Sequence, residues 1–271
     1  MDPGMLAIIC NKPELIADLP RWMFPESMER ELQATEGLAI GEIADRDSIA
    51  AVFEAVKRRK LQALLPTVAY TGTEFGDWEA LFGKIERLAA CLEGQGIKVF
   101  HPVLLGSPRW WRHLCGRYVP SLFERFGFYS PCVGCHLYLH ALRIPLALRI
   151  GCRIIIGGER ESHQGTIKIN QTAAALDAYT SFVCSFGVEL LLPVRNINSD
   201  DAIAAIVGKQ WRETDEQLEC VLSKNYSDEH GMVRCREDAL TRFFGEYAVV
   251  EAERLVREAL EKRCNAGQDP T

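Results

Sequence analysis

The feature that most constrains this chain is an alternation of short apolar runs with segments patterned at helical spacing. Leu61–Tyr70 is a continuous apolar run of the kind a strand buried on both faces requires. A loop follows at Thr71–Asp77. Trp78–Leu92 then sets Leu81, Phe82, Ile85, Leu88 and Ala89 on one face, with Gly94 and Gly96 closing the helix. Ile97–Leu105, Arg153–Ile156 and Val188–Val194 read as further strands, and Thr172–Phe186, Asp200–Val207 and Glu237–Lys262 as helices. Strands alternating with helices predict an α/β fold with a doubly wound, Rossmann-like parallel sheet and a helical C-terminal extension. Ligands of such sheets sit beyond the carboxyl ends of the strands, where Tyr70–Asp77, Gly106–Cys135 and Gly157–Gln171 fall. Upstream, Leu6–Cys10 is expected as a short strand. Asp47 is expected to cap a helix with Ile49, Val52, Phe53 and Val56 inward, ended by Arg58-Arg59-Lys60.

The 271 residues suffice for one large domain or a domain with an appendage. A formal charge of -6 excludes a broad electrostatic grip on nucleic acid, which needs many Lys and Arg contacts to phosphate. One basic patch stands out, Arg109, Arg112, Arg117 and Arg125 among Trp110, Trp111 and Tyr118; an ordinary amphipathic surface weighs slightly ahead of an RNA contact. No signal peptide is evident, and His140, Arg143, Arg149 and Arg153 interrupt the most apolar stretch, Leu137–Ile156. A cytoplasmic protein without membrane contact is expected. Ten cysteines in such a chain are not a disulfide framework, and Cys91, Cys152 and Cys184 read as small buried hydrophobes.

Cys132-Val133-Gly134-Cys135 has the spacing at which two thiolates chelate one metal, occupy two corners of a cluster, or exchange a disulfide. It opens a helix, whose dipole favours the thiolate. Cys220 is the preferred third ligand, with Cys235 and Cys115 in reserve; two purely structural cysteines are the alternative. His136 and His140, four apart, share a helix face and can bind metal, although such a pair more often faces solvent or a carbonyl. Arg143 is placed to meet an anion at the same mouth, and Pro145 to kink or split the helix. In the loop after the Leu61–Tyr70 run, Thr71, Gly72, Thr73 and Gly76 suit a phosphate at a helix N-terminus, while Asp77 suits a simple cap. Gly157-Gly158-Glu159-Arg160 lets backbone approach a nucleotide, and Lys168, Asn170 and Gln171 add a cation and two amides. Neither Gly-x-Gly-x-x-Gly, a Walker loop nor Gly-x-Ser-x-Gly occurs.

This order of parts, through a last strand ending Leu191-Leu192-Pro193-Val194, resembles the PP-loop ATP pyrophosphatase superfamily, notably its tRNA sulfur-transfer enzymes with a cysteine pair. The resemblance spans Leu61 to Tyr226. It implies an adenine nucleotide alpha hydrolase-like domain at 61–226, between an N-terminal extension at 1–60 and a helical segment at 227–271. It further implies ATP (or AMP) held by Thr71, Gly72, Thr73 and Asp77 with Gly157, Gly158 and Glu159, and adenylation followed by sulfur transfer to a small molecule or tRNA. Cys132, Cys135 and Lys168 would be catalytic, and Cys132, Cys135 and Cys220 would hold a 4Fe-4S cluster or, alternatively, zinc. Thr71-Gly72-Thr73-Glu74-Phe75-Gly76 stands where the family has Ser-Gly-Gly-x-Asp-Ser. The rival expectations are a nucleotide sensor that does not hydrolyse and a protein with structural zinc, homodimerisation being left open.

Overall fold

The computed structural model describes residues 2–16, 18–208, 211, 218–224, 226–230, 232–233 and 235–266, the side chains of 263–266 excepted. Its centre is a six-stranded, all-parallel sheet made of β1 (Leu38–Glu42), β2 (Ala63–Ala69), β4 (Lys98–Val99), β5 (Val103–Leu105), β6 (Ile154–Ile156) and β7 (Glu189–Leu191). The order is β4-β2-β1-β6-β7, with β5 also on β2 beyond β4. A separate two-stranded ribbon joins β3 (Glu74–Phe75) to β8 (Glu219–Cys220). The helices are α1 (Pro3–Asn11), α2 (Glu26–Ala34), α3 (Arg46–Arg58), α4 (Trp78–Glu93), α5 (Pro108–Cys115), α6 (Val119–Phe126), α7 (Pro131–Arg149), α8 (Ala173–Cys184), α9 (Asp200–Val207), α10 (Glu237–Phe243) and α11 (Val249–Ala266). None of them, among the described residues, is long and apolar enough to cross a membrane.

The strand in the middle is β1, which comes from the segment expected to be an N-terminal extension. Ile40 is opposite Leu65 on one side and Ile155 on the other, and all five residues of the strand are buried. The helix that follows, α3, buries Ile49, Val52 and Phe53 as its spacing predicts, but Asp45 rather than Asp47 sits at the N-cap. Residues 1–60 therefore contribute the sheet's centre, and β2 is the second strand rather than the first.

Three other local expectations change. Leu6–Cys10 lies inside α1, because Asp2 accepts hydrogen bonds from the Gly4 and Met5 amides and Pro3 is preset for the first helical turn. α7 runs as one element through Pro145. Glu237–Lys262 is broken by a π turn at Phe244–Ala248 between α10 and α11, where Phe243 and Phe244 both turn into the core.

Because Ile40 is fully buried between two parallel neighbours, Ile40→Ala should cost about 2–5 kcal/mol. Leu6→Ala, at an exposed site, should cost under about 0.5 kcal/mol. Urea unfolding of both variants measures the difference.

Candidate functional site

From β1 the chain moves outward through β2 to β4 and β5, then returns to the opposite side of β1 for β6 and β7. Strand order therefore reverses between β1 and β6, and the crevice outside their carboxyl ends is where open α/β sheets bind ligands. Two segments line it, 43–48, which runs from the loop after β1 into the first turn of α3, and the loop 157–160 after β6. They pack backbone to backbone: a methyl group on Gly158 would stand 2.5 Å from the Ser48 amide nitrogen. Gly158 is thus required for the loops to meet. The Ser48 hydroxyl accepts from the Ala44 and Asp45 amides at 3.0 and 3.1 Å, filling a small nest of N–H groups at the α3 N-terminus.

Charged groups converge on the same rim. Buried Arg160 donates to Asp47 at 2.9 Å and Asp200 at 2.7 Å, and its neighbour His163 reaches Gln171 at 2.6 Å. The Arg160 hydrogen bond holds the Asp200 carboxyl below its ordinary range. Lys168 is half-buried; loss of water pulls its ammonium below the usual value, Asp47 opposing and Arg160 adding. The sequence signals for this crevice are a short apolar run, Leu38-Ala39-Ile40, and an Asp47-Ser48 pair at a helix start. The pair lies outside the span from Leu61 that carries the resemblance.

The loop Thr71–Asp77 is built differently. The Glu74 carboxylate accepts from the Thr71 amide at 2.8 Å and hydroxyl at 2.7 Å, and the Thr73 amide donates to the Thr71 hydroxyl. Asp77 caps α4 through the Glu79 amide. A carboxylate of the chain thus occupies donors that would otherwise face a phosphate, and Lys12 pairs with that carboxylate at 3.5 Å. Gly72 takes φ +87 in open space, as the turn demands. The loop's longer reach is through β3, which pairs Glu74 with Cys220 and sets the Thr73 hydroxyl 3.3 Å from the Cys220 sulfur.

That pairing carries Cys220 to the start of α7. Leu222 donates its amide to the Cys220 sulfur at 3.4 Å and accepts from the Cys132 thiol at 3.7 Å. Cys115, from the end of α5, shares a hydrogen bond with Cys135. This bond holds the Cys135 thiol low, the buried Trp111 N–H adding to the effect, while burial pushes the Cys132 thiol up to about 11. Gly134 explains the approach of the two helices: a methyl group there would stand 2.2 Å from the Leu114 carbonyl oxygen. Four cysteines therefore gather, with no disulfide among the described ones, whereas Cys235 stands at another cavity, with Met232 and Val233. No three of the four present sulfurs within 4.8 Å of one another.

One turn further along α7, His140 is fully buried between two carboxylates, with Nδ1 2.8 Å from Glu42 and Nε2 3.4 Å from Glu159. His136 Nδ1 lies 3.3 Å from the same Glu159 oxygen. Glu159 therefore turns onto α7, and Gly157 leaves room for it: a methyl group there would meet its Oε2 at 2.5 Å. Arg143 does not open to the mouth. It is buried, donating to the Thr67 hydroxyl at 2.8 Å and to the Leu139 carbonyl. Of the Arg–Trp patch, Trp110 is buried and Trp111 half-buried, whereas Arg109, Arg112, Arg117, Arg125 and Tyr118 are exposed, with Arg109 meeting Glu258 of α11 at 3.3 Å and Arg125 meeting Glu246 at 2.8 Å.

No family model matches the chain. The uncharacterized protein MJ0009 of Methanocaldococcus jannaschii is 35% identical over 236 residues, covering 84% of this chain and 83% of that protein. Among solved structures, a 4-thiouridine synthetase in complex with RNA and bound ATP aligns with a TM-score of 0.46 at 17% identity. The alignment covers 82% of this chain and 53% of the synthetase, so the chain spans about half that enzyme's length. The U34-tRNA thiolase NcsA of Methanococcus maripaludis, with its 4Fe-4S cluster, aligns with a TM-score of 0.40 at 14% identity, over 86% of this chain and 79% of NcsA.

Gly134→Ala should force α5 and α7 apart and cost about 1–3 kcal/mol, as overpacking does. Thermal unfolding checks the loss, and thiol labelling should show Cys115 more accessible in the variant.

Proposed function

The chain belongs to the family of the Methanocaldococcus jannaschii protein MJ0009, and on that premise we propose that it is a PP-loop-type enzyme that binds an adenine nucleotide and transfers sulfur. The observation that carries this reading is a junction. Gly158 packs on the Asp47-Ser48 helix start, and the next residue, Glu159, reaches His136 and His140 on the cysteine-bearing helix. The nucleotide crevice and the cysteines then belong to one mouth.

In this reading the ATP phosphates lie at the α3 N-terminus, against amides now bonded to the Ser48 hydroxyl, rather than at Thr71, Gly72, Thr73 and Asp77. Gly157 and Gly158 let the nucleotide approach the backbone. Lys168 neutralises charge that develops on the phosphate as the acceptor is adenylated. Thr71 and Thr73 serve the cysteine side, holding the ribbon that carries Cys220.

Cys132, Cys135 and Cys220 would hold a 4Fe-4S cluster, with Cys115 beside Cys135. Such a cluster, held by these three thiolates, would supply the binding of exogenous sulfur. The protein's own part is to gather the thiols, donate the Leu222 amide to the Cys220 sulfur, and favour the thiolate at Cys135. A net charge of -6 leaves a tRNA acceptor only a local basic patch at Arg109, Arg112, Arg117 and Arg125, which favours a small molecule as the acceptor class.

Calorimetric titration with ATP tests the reading. Binding is expected, and Lys168→Ala should weaken it roughly ten- to a hundredfold, the worth of one charge-assisted contact. Thr71→Ala should change affinity by less than about twofold, since its donors already serve Glu74. Absence of ATP and AMP binding at millimolar concentration would sink the proposal. ATP recovered intact after long incubation with magnesium and acceptor candidates would reassign the chain as a non-hydrolysing sensor.

A further inference from the structure

The buried polar groups around His140 join the crevice to the cysteine-bearing helix, but that junction leaves two of their polar atoms without a role. Glu42, His140 and Glu159 each present a donor atom within 4.8 Å of the others, and all three are buried. Two atoms of this group have no hydrogen-bond partner although water is excluded from them, His140 Nε2 and Glu159 Oε2. Unsatisfied buried polar atoms are costly and call for an explanation. Here both belong to ligand-type side chains, and His140 Nε2 lies 3.4 Å from the other oxygen of the same carboxylate.

The arrangement around His140 is that of a metal-binding imidazole. Its Nδ1 is already held at 2.8 Å by Glu42, and Arg143 Nε lies 3.6 Å from the same Glu42 oxygen. A carboxylate on one ring nitrogen fixes the ring and the tautomer, so that the other nitrogen is free to ligate. The 3.4 Å and 3.3 Å separations of His140 Nε2 and His136 Nδ1 from the Glu159 oxygen match ligand spacing. Ligands bound about 2.0–2.2 Å from a tetrahedral ion stand roughly 3.4 Å apart. His136 and His140 share a helix face, but their ring nitrogens do not yet stand within 4.8 Å of each other, so the half-buried ring of His136 must turn inward to close the set, a movement that also gives the ion a way in.

We propose that His136, His140 and Glu159 form a second metal site, distinct from the cysteines, for a divalent first-row transition ion such as zinc or iron(II), with Glu42 as the positioning carboxylate. Two imidazoles and one carboxylate suit such ions and leave positions open for water or a substrate atom. The site joins β1, β6 and α7, so the ion braces the helix that presents Cys132 and Cys135. The inference needs neither nucleotide binding nor sulfur transfer to hold.

Cobalt(II) binding tests it directly, in full-length protein with Cys115, Cys132, Cys135 and Cys220 exchanged for Ser. One equivalent of cobalt should bind with visible ligand-field bands and without the near-ultraviolet band of sulfur-to-cobalt charge transfer. Glu159→Gln and His136→Asn should each weaken binding at least about tenfold, and Glu42→Gln roughly ten- to a hundredfold. Circular dichroism monitors folding. If the fourfold exchange unfolds the chain, wild-type protein with alkylated thiols gives the same readout. A folded protein lacking those four thiols that takes up no cobalt, or takes it up equally with Gln at 159, would overturn the assignment.

Discussion

A charge withdrawn from water is tolerated in a protein only if other groups replace its hydration, and this chain buries four such groups together. Glu42 ends the central strand, Glu159 follows β6, and His140 and Arg143 come from one face of α7. His140 is fully buried, and Glu42 and Glu159 draw its imidazole toward the charged form against the cost of burial. Burial opposes the Glu159 carboxylate too, yet the two histidines hold it low, at about 2. Removing one member would leave the others uncompensated, a loss of about 3–5 kcal/mol in buried pairs. The same contacts fix where α7 lies on the sheet.

Once α7 is fixed, much of the mouth follows. Its first turn can meet α5 only because residue 134 has no side chain, and this places Cys115 beside Cys135. The β3–β8 ribbon adds Cys220 from more than eighty residues away in sequence. On the other side, the glycine at 158 brings the β6 loop onto the start of α3. Two glycines and one buried ionic cluster thus connect loops of four strands. Each works by a close approach or a charge partnership that any larger or neutral side chain would break.

The alternation of strands and helices from Leu61 onward was legible because fully buried strands are continuous apolar runs and the helices carry clear stripes. β1 was not. It is five residues long, contains Gly41, and ends in Glu42, whose burial depends on partners about 98 and 101 residues away. Without β1 the sequence offers β2 as the first strand, and the expectation of a phosphate site falls on the loop after it. There Thr71, Gly72 and Thr73 have the right residue types, but Glu74 already takes the Thr71 amide and hydroxyl, and the Thr71 hydroxyl takes the Thr73 amide. The pairing of His136 with His140 was visible as spacing. Glu159, the residue that gives the pair a common focus, was read as part of a nucleotide loop, since only the folded chain turns it onto α7.

The claim on which the account rests is that ligand binds at the reversal between β1 and β6. Hydrogen–deuterium exchange with and without ATP addresses it residue range by residue range. The account predicts slowed exchange at 43–50 and 157–171 on addition of ATP, with 70–77 little changed. Protection confined to 70–77, with 43–50 and 157–171 unaffected, would contradict it.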